Sequence, residues 1–257
     1  MKRTVGFVIV GLMIVLGLLS LVWTPYDPLQ ANPSVRLQGS TLQHLMGTDE
    51  LGRDVLSRVM SGARLTMAVV LGAVSISALV GIPLGIWAGM RRRAGRVVMG
   101  ASDLLLAFPA LLLAIVFTAV FGASIWIVVL AIGIAGIPGF VRVARVGTLQ
   151  VLSQDYILAA RMARVSGPVI AWRHVLPNIA HLLITQATVA AALAILAEAG
   201  LSFLGLGAPA PFASWGRMLQ ASQPYLATAW HLALWPGLAI VLTVLGLNVI
   251  GGSRDRR

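Results

Sequence analysis

Residues 153–178 read SQDYILAARMARVSGPVIAWRHVLPN, and the fold turns on what this stretch forms between two apolar runs. It reads as two short helices. Ser153 is placed to cap the first, with Asp155 in its opening turn, where a carboxylate meets the positive end of a helix. Ala159, Ala160, Arg161 and Met162 are good helix formers. Gly167-Pro168 interrupts the run, and Pro168 suits the first position of a second helix. Pro177 disfavours helical geometry at Leu176, so the second helix is predicted to stop there. Between two membrane spans, a helix–break–helix elbow is a place for a partner to dock. The plainer reading is an amphipathic surface helix.

Composition places the elbow in a membrane protein. Of 257 residues, 58% are hydrophobic and 11% charged, too little charge to cover a soluble domain of that length, and mean hydropathy is +0.92. Cysteine is absent, which excludes disulfides, thiolate metal sites and cysteine nucleophiles. The only lysine is Lys2, so no phosphate-binding loop of the Walker type exists. The chain is therefore expected to be no enzyme and to need no cofactor, with any ATP hydrolysis on a separate polypeptide. His44, His174, His181 and His231 are scattered, and none pairs with another at metal-ligand spacing.

Working outward from the elbow, six apolar runs are predicted to cross the membrane, giving an all-α polytopic fold. Val5–Trp23 is 19 residues long, enough to cross the hydrocarbon core, and reads as an uncleaved anchor rather than a signal peptide. Leu65–Met90 is the second run. It carries Gly81, Gly85 and Gly89 on one face, a stripe that lets another helix approach closely, with Pro83 inside it. Packing within the chain is the first reading of the stripe, and contact with a second subunit the alternative. Leu104–Phe121 and Ala123–Val141 follow, joined by a tight turn near Gly122, then Ile179–Ala197 and Leu232–Ile250. Ahead of the second run, residues 47–64 read as an amphipathic helix at the membrane surface. Thr48 or Asp49 is its cap, and Asp54 and Arg58 form an i,i+4 pair. Glu198, at the end of the fifth run, either lines the outer end of a pathway or sits among headgroups. With Ser202 and Phe203 it forms the candidate outer gate.

The charge of +11 is a topology signal rather than a nucleic-acid footprint. With Lys2 inside, fourteen of the nineteen basic residues fall on the inner side, among them Arg91, Arg92, Arg93, Arg96, Arg142 and Arg145. Both termini and the elbow are thus expected in the cytoplasm of a cell (inner or plasma) membrane protein.

Four stretches, in order, resemble permease subunits of binding-protein-dependent ABC importers, most of all the dipeptide/oligopeptide/nickel group and its C-type dipeptide subunit. They are GTDELGRDVLSR (47–58), SDLLLAFPALLLAI (102–115), YILAAR with RHVLPN (156–161 and 173–178), and SFLGLG with SWG (202–207 and 214–216). The resemblance implies a type I importer permease fold, with an N-terminal anchor and extracytoplasmic segment over 1–45. A permease domain over 46–257 would follow, with five spans and a coupling loop at 153–178. It implies that Tyr156, Leu158, Ala159, Ala160, Arg161, Arg164 and Gly167 dock into an ATP-binding subunit. It also implies a second permease subunit (a heterodimer), two ATP-binding subunits and an extracytoplasmic solute-binding protein, with a peptide as first substrate and nickel or a nickel chelate as second. Three departures stand out. Arg164 occupies a usual glycine position, so either the helix cap has moved to Gly167 or the turn is built differently. Gly100 replaces an arginine, which removes its pairing with Asp103. The tail after Gly252 is short. The competing class is a self-contained secondary carrier or channel. Spans with almost no ionisable group at their centres, and no repeat between halves, leave such a carrier few residues to work with.

Overall fold

The structure, a computed structural model, describes residues 2–207, 209 and 211–252. The tail residues Arg254, Asp255, Arg256 and Arg257 lie outside them. Among the described residues the regular structure is helical throughout, without strands. The helices are α1 (Lys2–Leu19), α2 (Val55–Met90), α3 (Arg92–Ala107), α4 (Ala110–Phe121), α5 (Ile125–Leu152), α6 (Asp155–Met162), α7 (Gly167–Ile170), α8 (Leu176–Phe203), α9 (Trp215–Ser222) and α10 (His231–Gly252).

Four helical stretches are long and apolar enough to cross a membrane: Val55–Met90, Ile125–Leu152, Gly167–Phe203 and His231–Gly252. The predicted third span is broken. α3 and α4 meet at an 81° bend, because Pro109 pushes Phe108 into extended backbone (ψ 126°) and offers no amide to continue the ladder. The pair counts as a fifth crossing only if taken together. The first apolar helix ends at Leu19, four residues short of Trp23, and is shorter than those four.

α2 and α5 form the centre of the bundle and run parallel. The predicted glycine stripe is what lets them meet. A methyl group on Gly81 would stand 2.6 Å from the Phe140 Cβ, one on Gly85 2.7 Å from that of Ala144, and one on Gly89 2.7 Å from that of Thr148. No larger side chain fits at that separation, so the stripe serves packing within the chain. Ser77 ties the pair by donating to the Gly133 carbonyl at 2.7 Å. α8 runs antiparallel to α5, with Gly147 against Ile179 and Gly139 against Gln186. α1 runs antiparallel to α10, with Gly6 against Ile250 and Gly246 against Val10. The turn at Gly122 is as tight as predicted, since that residue takes φ +84° after α4 and Ser124 caps α5.

Residues 47–64 do not form a separate surface helix. Residues 47–54 make a compact turn, and α2 then runs unbroken for 36 residues from Val55, capped by Asp54 rather than by Thr48 or Asp49. The Asp54–Arg58 pair is not formed. Asp54 spends its oxygens on the Ser57 amide (2.8 Å), the Ser57 hydroxyl (2.7 Å) and His44 Nδ1 (3.0 Å). Arg58 turns instead to Asp49, at 3.3 Å.

Candidate functional site

The elbow lies where α5 ends and the Gly167–Phe203 stretch begins. Ser153 does not cap α6. It closes α5, and its hydroxyl donates to the Gln150 carbonyl. Gln154 precedes α6 without a side-chain cap, and Asp155 sits in the first turn as predicted. One side chain of α6 is fully buried. Ile157 is fully buried in a cluster with Ile86, Ala144, Val151, Ile170 and Ile179.

Arg164 answers its own anomaly. Gly167 is not the cap. Arg164 itself takes the left-handed conformation, at φ +58°. Its amide donates to the Arg161 carbonyl at 3.0 Å and that of Val165 to Ala160 at 3.0 Å, the paired bonds of a Schellman end. The same device closes α8. There Gly205 sits at φ +80°, with its amide on Ser202 (3.1 Å) and that of Leu206 on Leu201 (2.9 Å).

The second elbow helix does not stop at Leu176. α7 passes through a π-helical turn, Ala171–Val175, into α8, and the Leu176 amide reaches back five residues to Ala171. Widening the turn accommodates Pro177, which has no amide to give, and the Asn178 side chain donates to the His174 carbonyl at 2.6 Å. The elbow is thus the root of a continuous stretch from Gly167 to Phe203.

Opposite Ile157, the elbow faces outward with unpartnered apolar groups. Leu158 is 61% exposed, Met162 79% and Trp172 72%. Ala159 and Ala163 are also exposed beside them. Of the predicted docking residues, Tyr156, Leu158, Ala159, Arg161 and Arg164 are exposed, while Ala160 and Gly167 are half-buried. Tyr156 stands against the His174 ring, centroids 6.1 Å apart. The reading of the sequence missed Met162 and Trp172. The i,i+4 spacing of Leu158 and Met162 was the available signal for the first. Such an apolar surface can seat in a partner's groove, and Arg161, Arg164 and Arg173 of the same stretch are exposed as well.

At the other end of the bundle, Glu198 is 1% exposed. It accepts from Thr66 of α2 (3.2 Å) and Ser202 of α8 (2.7 Å), and Ser214 is a third hydroxyl partner. Ser202 is buried with it, and Phe203 is 40% exposed. Trp215, fully buried, donates its indole N–H to the Val59 carbonyl at 3.1 Å. The SFLGLG…SWG stretch therefore meets α2 just beyond GTDELGRDVLSR, at Val59 and Thr66. Asp103, which lacks an arginine at position 100, pairs with Arg142 at 2.6 Å. No group of three or more His, Asp or Glu side chains among the described residues is arranged to hold a metal ion.

Comparison with known proteins agrees with this geometry. Residues 81–253 match the family described as binding-protein-dependent transport system inner membrane component. The di/tripeptide transport system permease protein DppC of Pseudomonas aeruginosa is 41% identical, over 99% of this chain and 87% of the relative. The dipeptide transport system permease protein DppC of Alkalihalophilus pseudofirmus is 38% identical, over 98% and 83%. The glutathione transport system permease protein GsiD of Pectobacterium atrosepticum is 37% identical, over 95% and 84%. The inward-facing MetNI methionine ABC transporter structure has the same fold, with a TM-score of 0.62 at 17% identity, covering 76% of this chain and 92% of that one.

Proposed function

Because the chain belongs to the family of binding-protein-dependent transport system inner membrane components, we propose that its elbow is the coupling element of a peptide importer. As a family member it is a multi-pass inner-membrane permease subunit of an ABC importer and not an enzyme. ATP is hydrolysed on a separate ATP-binding subunit, and a substrate-binding protein works with the permease.

The observation that carries the coupling role is the outward apolar face of α6, a helix with one fully buried side chain, Ile157. Tyr156, Leu158, Ala159, Ala160, Arg161, Arg164 and Gly167 form the docking surface, joined by Met162 and Trp172. The assembly is a heterodimer of permeases with two ATP-binding subunits. The chain crosses the membrane six times, α1 and the bent α3–α4 pair included, with both termini and the elbow in the cytoplasm. The basic residues at the elbow end support that orientation. Glu198, Ser202 and Phe203 belong to the outer gate, and the burial of Glu198 with its hydroxyl partners supports that placement. The substrate is a short peptide. The relatives named for di/tripeptide, dipeptide and glutathione favour peptide over nickel.

A single cysteine at Ala159, exposed on the outward face, tests the docking role in this cysteine-free chain. A short bifunctional crosslinker on inverted membranes should attach it to the ATP-binding subunit. Efficient labelling from the cytoplasmic side without any such crosslink refutes the docking surface. Loss of dipeptide uptake on deletion, with metal uptake intact, supports the substrate reading, and the reverse pattern overturns it.

A further inference from the structure

Arg92 and Arg96 of α3 and Arg145 of α5 line one cleft of about 570 Å³ beside the end of α2. In the sequence these arginines serve only as a topology signal, yet the structure gathers them around a shared space. Arg145 Nε is shut off from solvent and has no hydrogen-bond partner. Its guanidinium lies against Gly95, where an added methyl group would stand 3.7 Å from Nε. None of the three arginines forms an ion pair among the described residues. The nearby acid Asp103 is taken by Arg142. A desolvated, unpaired guanidinium nitrogen is costly, and converging cations without a counter-ion call for an anion.

The rest of the cleft says which anion. Met99 and Leu149 line it, and Leu149 is 46% exposed. Val97, on α3 with Met99, is 71% exposed. Charge and apolar surface thus adjoin at the end of two membrane-spanning helices. A free phosphate or nucleotide would use the arginines and leave the apolar rim idle. The geometry points to a binding site for the phosphodiester headgroup of an acidic phospholipid, with its acyl chains running along Met99 and Leu149. Basic pockets between transmembrane helices at the bilayer surface are suited to such headgroups. This site requires the chain to lie in a bilayer and is independent of the elbow's docking role and of the substrate.

The test uses the purified, assembled importer, delipidated in detergent and titrated with phosphatidylglycerol or phosphatidylcholine, with bound lipid counted by native mass spectrometry. Wild type is expected to retain phosphatidylglycerol preferentially. The Arg92→Gln/Arg145→Gln double variant should retain it about tenfold less or weaker still, and Arg142→Gln should match wild type. Equal retention by the double variant overturns the site. So does displacement of phosphatidylglycerol by millimolar inorganic phosphate, which marks a free-anion site. Loss of the ATP-binding subunit with lipid retention unchanged marks a protein-docking surface and also overturns it. If the double variant does not assemble, photoreactive phosphatidylglycerol on wild type decides. Labels within 92–99 and 145–149 support the site, and labels confined elsewhere refute it.

Discussion

Arg164 is the residue at which the cost of the elbow can be measured directly. A side chain in the left-handed region costs about 1–2 kcal/mol relative to a right-handed one, and glycine escapes that cost while giving back part of it as backbone entropy. Replacing Arg164 by Gly also deletes a cation beside the negative end of α6, worth about 0.3–1 kcal/mol when exposed. Comparing Arg164→Gly with Arg164→Ala removes the charge from both sides of the difference. What remains is the backbone preference at φ +58°, about 1 kcal/mol in favour of glycine. The readout is amide hydrogen exchange at Arg164 and Val165, whose amides close the helix end on Arg161 and Ala160. One kcal/mol of extra closure slows exchange about fivefold if the end opens locally. Gly205→Ala at the end of α8 is the mirror experiment and should speed exchange at Leu206 by a similar factor. If Arg164→Ala protects the elbow as well as Arg164→Gly does, the left-handed turn is not what limits the stability of this end, and the reasoning fails.

Three further outcomes are expected. Ala159→Trp, on the outward face, should abolish coupled uptake while membrane levels stay normal; normal uptake would show that bulk is tolerated where the partner is placed. Ala160 is the poorer position, because it is half-buried. Glu198→Leu strips Thr66 and Ser202 of their acceptor and should lower stability by about 1–3 kcal/mol in thermal unfolding of the detergent-solubilised protein. Glu198→Gln keeps an acceptor and should lose less, so equal losses would argue against the hydrogen bonds. Gly85→Leu should prevent accumulation of folded protein, because even a methyl group there stands 2.7 Å from Ala144. Gly100→Leu, with nothing within 4 Å of an added Cβ, should accumulate normally, and if both behave alike the α2–α5 contact is not the cause.

Much of the helical content was legible because apolar runs and glycine spacing are local signals. The stripe at Gly81, Gly85 and Gly89, the turn at Gly122 and the helix of Asp155–Met162 all follow from residues within a few positions of one another. The misses share a cause. Hydropathy counts carbon and not hydrogen bonds, so Leu104–Phe121 scores as one run although Pro109 breaks it. Pro177 looked like a stop, but a π turn five residues wide absorbs it once α8 packs on α5. Asp54 looked like the partner of Arg58, yet its cap bonds and His44, ten residues earlier, outcompete a helical ion pair. The burial of Glu198 depends on Thr66, 132 positions away, and no local pattern encodes that contact.

These contacts divide the molecule into a locked end and a loosely held end. At the locked end, Asp49 binds Arg53 at 2.7 Å and Arg58 at 3.3 Å, and Asp54 caps α2. There Glu198 ties α2 to α8, and Trp215 ties α2 to the start of α9. The buried acids each hold several partners from different segments, so opening this end breaks several hydrogen bonds at once. At the elbow, α6 keeps one buried side chain and a strained cap. The elbow runs into α8 through a π turn, a place where a helix gives more easily than along its regular length. A force applied to the outer face of α6 therefore meets little resistance locally. It enters the stretch from Gly167 to Phe203, which among the described residues is tied by side-chain hydrogen bonds to other elements at Glu198, through Thr66 and Ser214. That distribution of stiffness suits the coupling role proposed for the elbow, with the elbow as the input end of a lever and the hydrogen-bonded Glu198 at its far end.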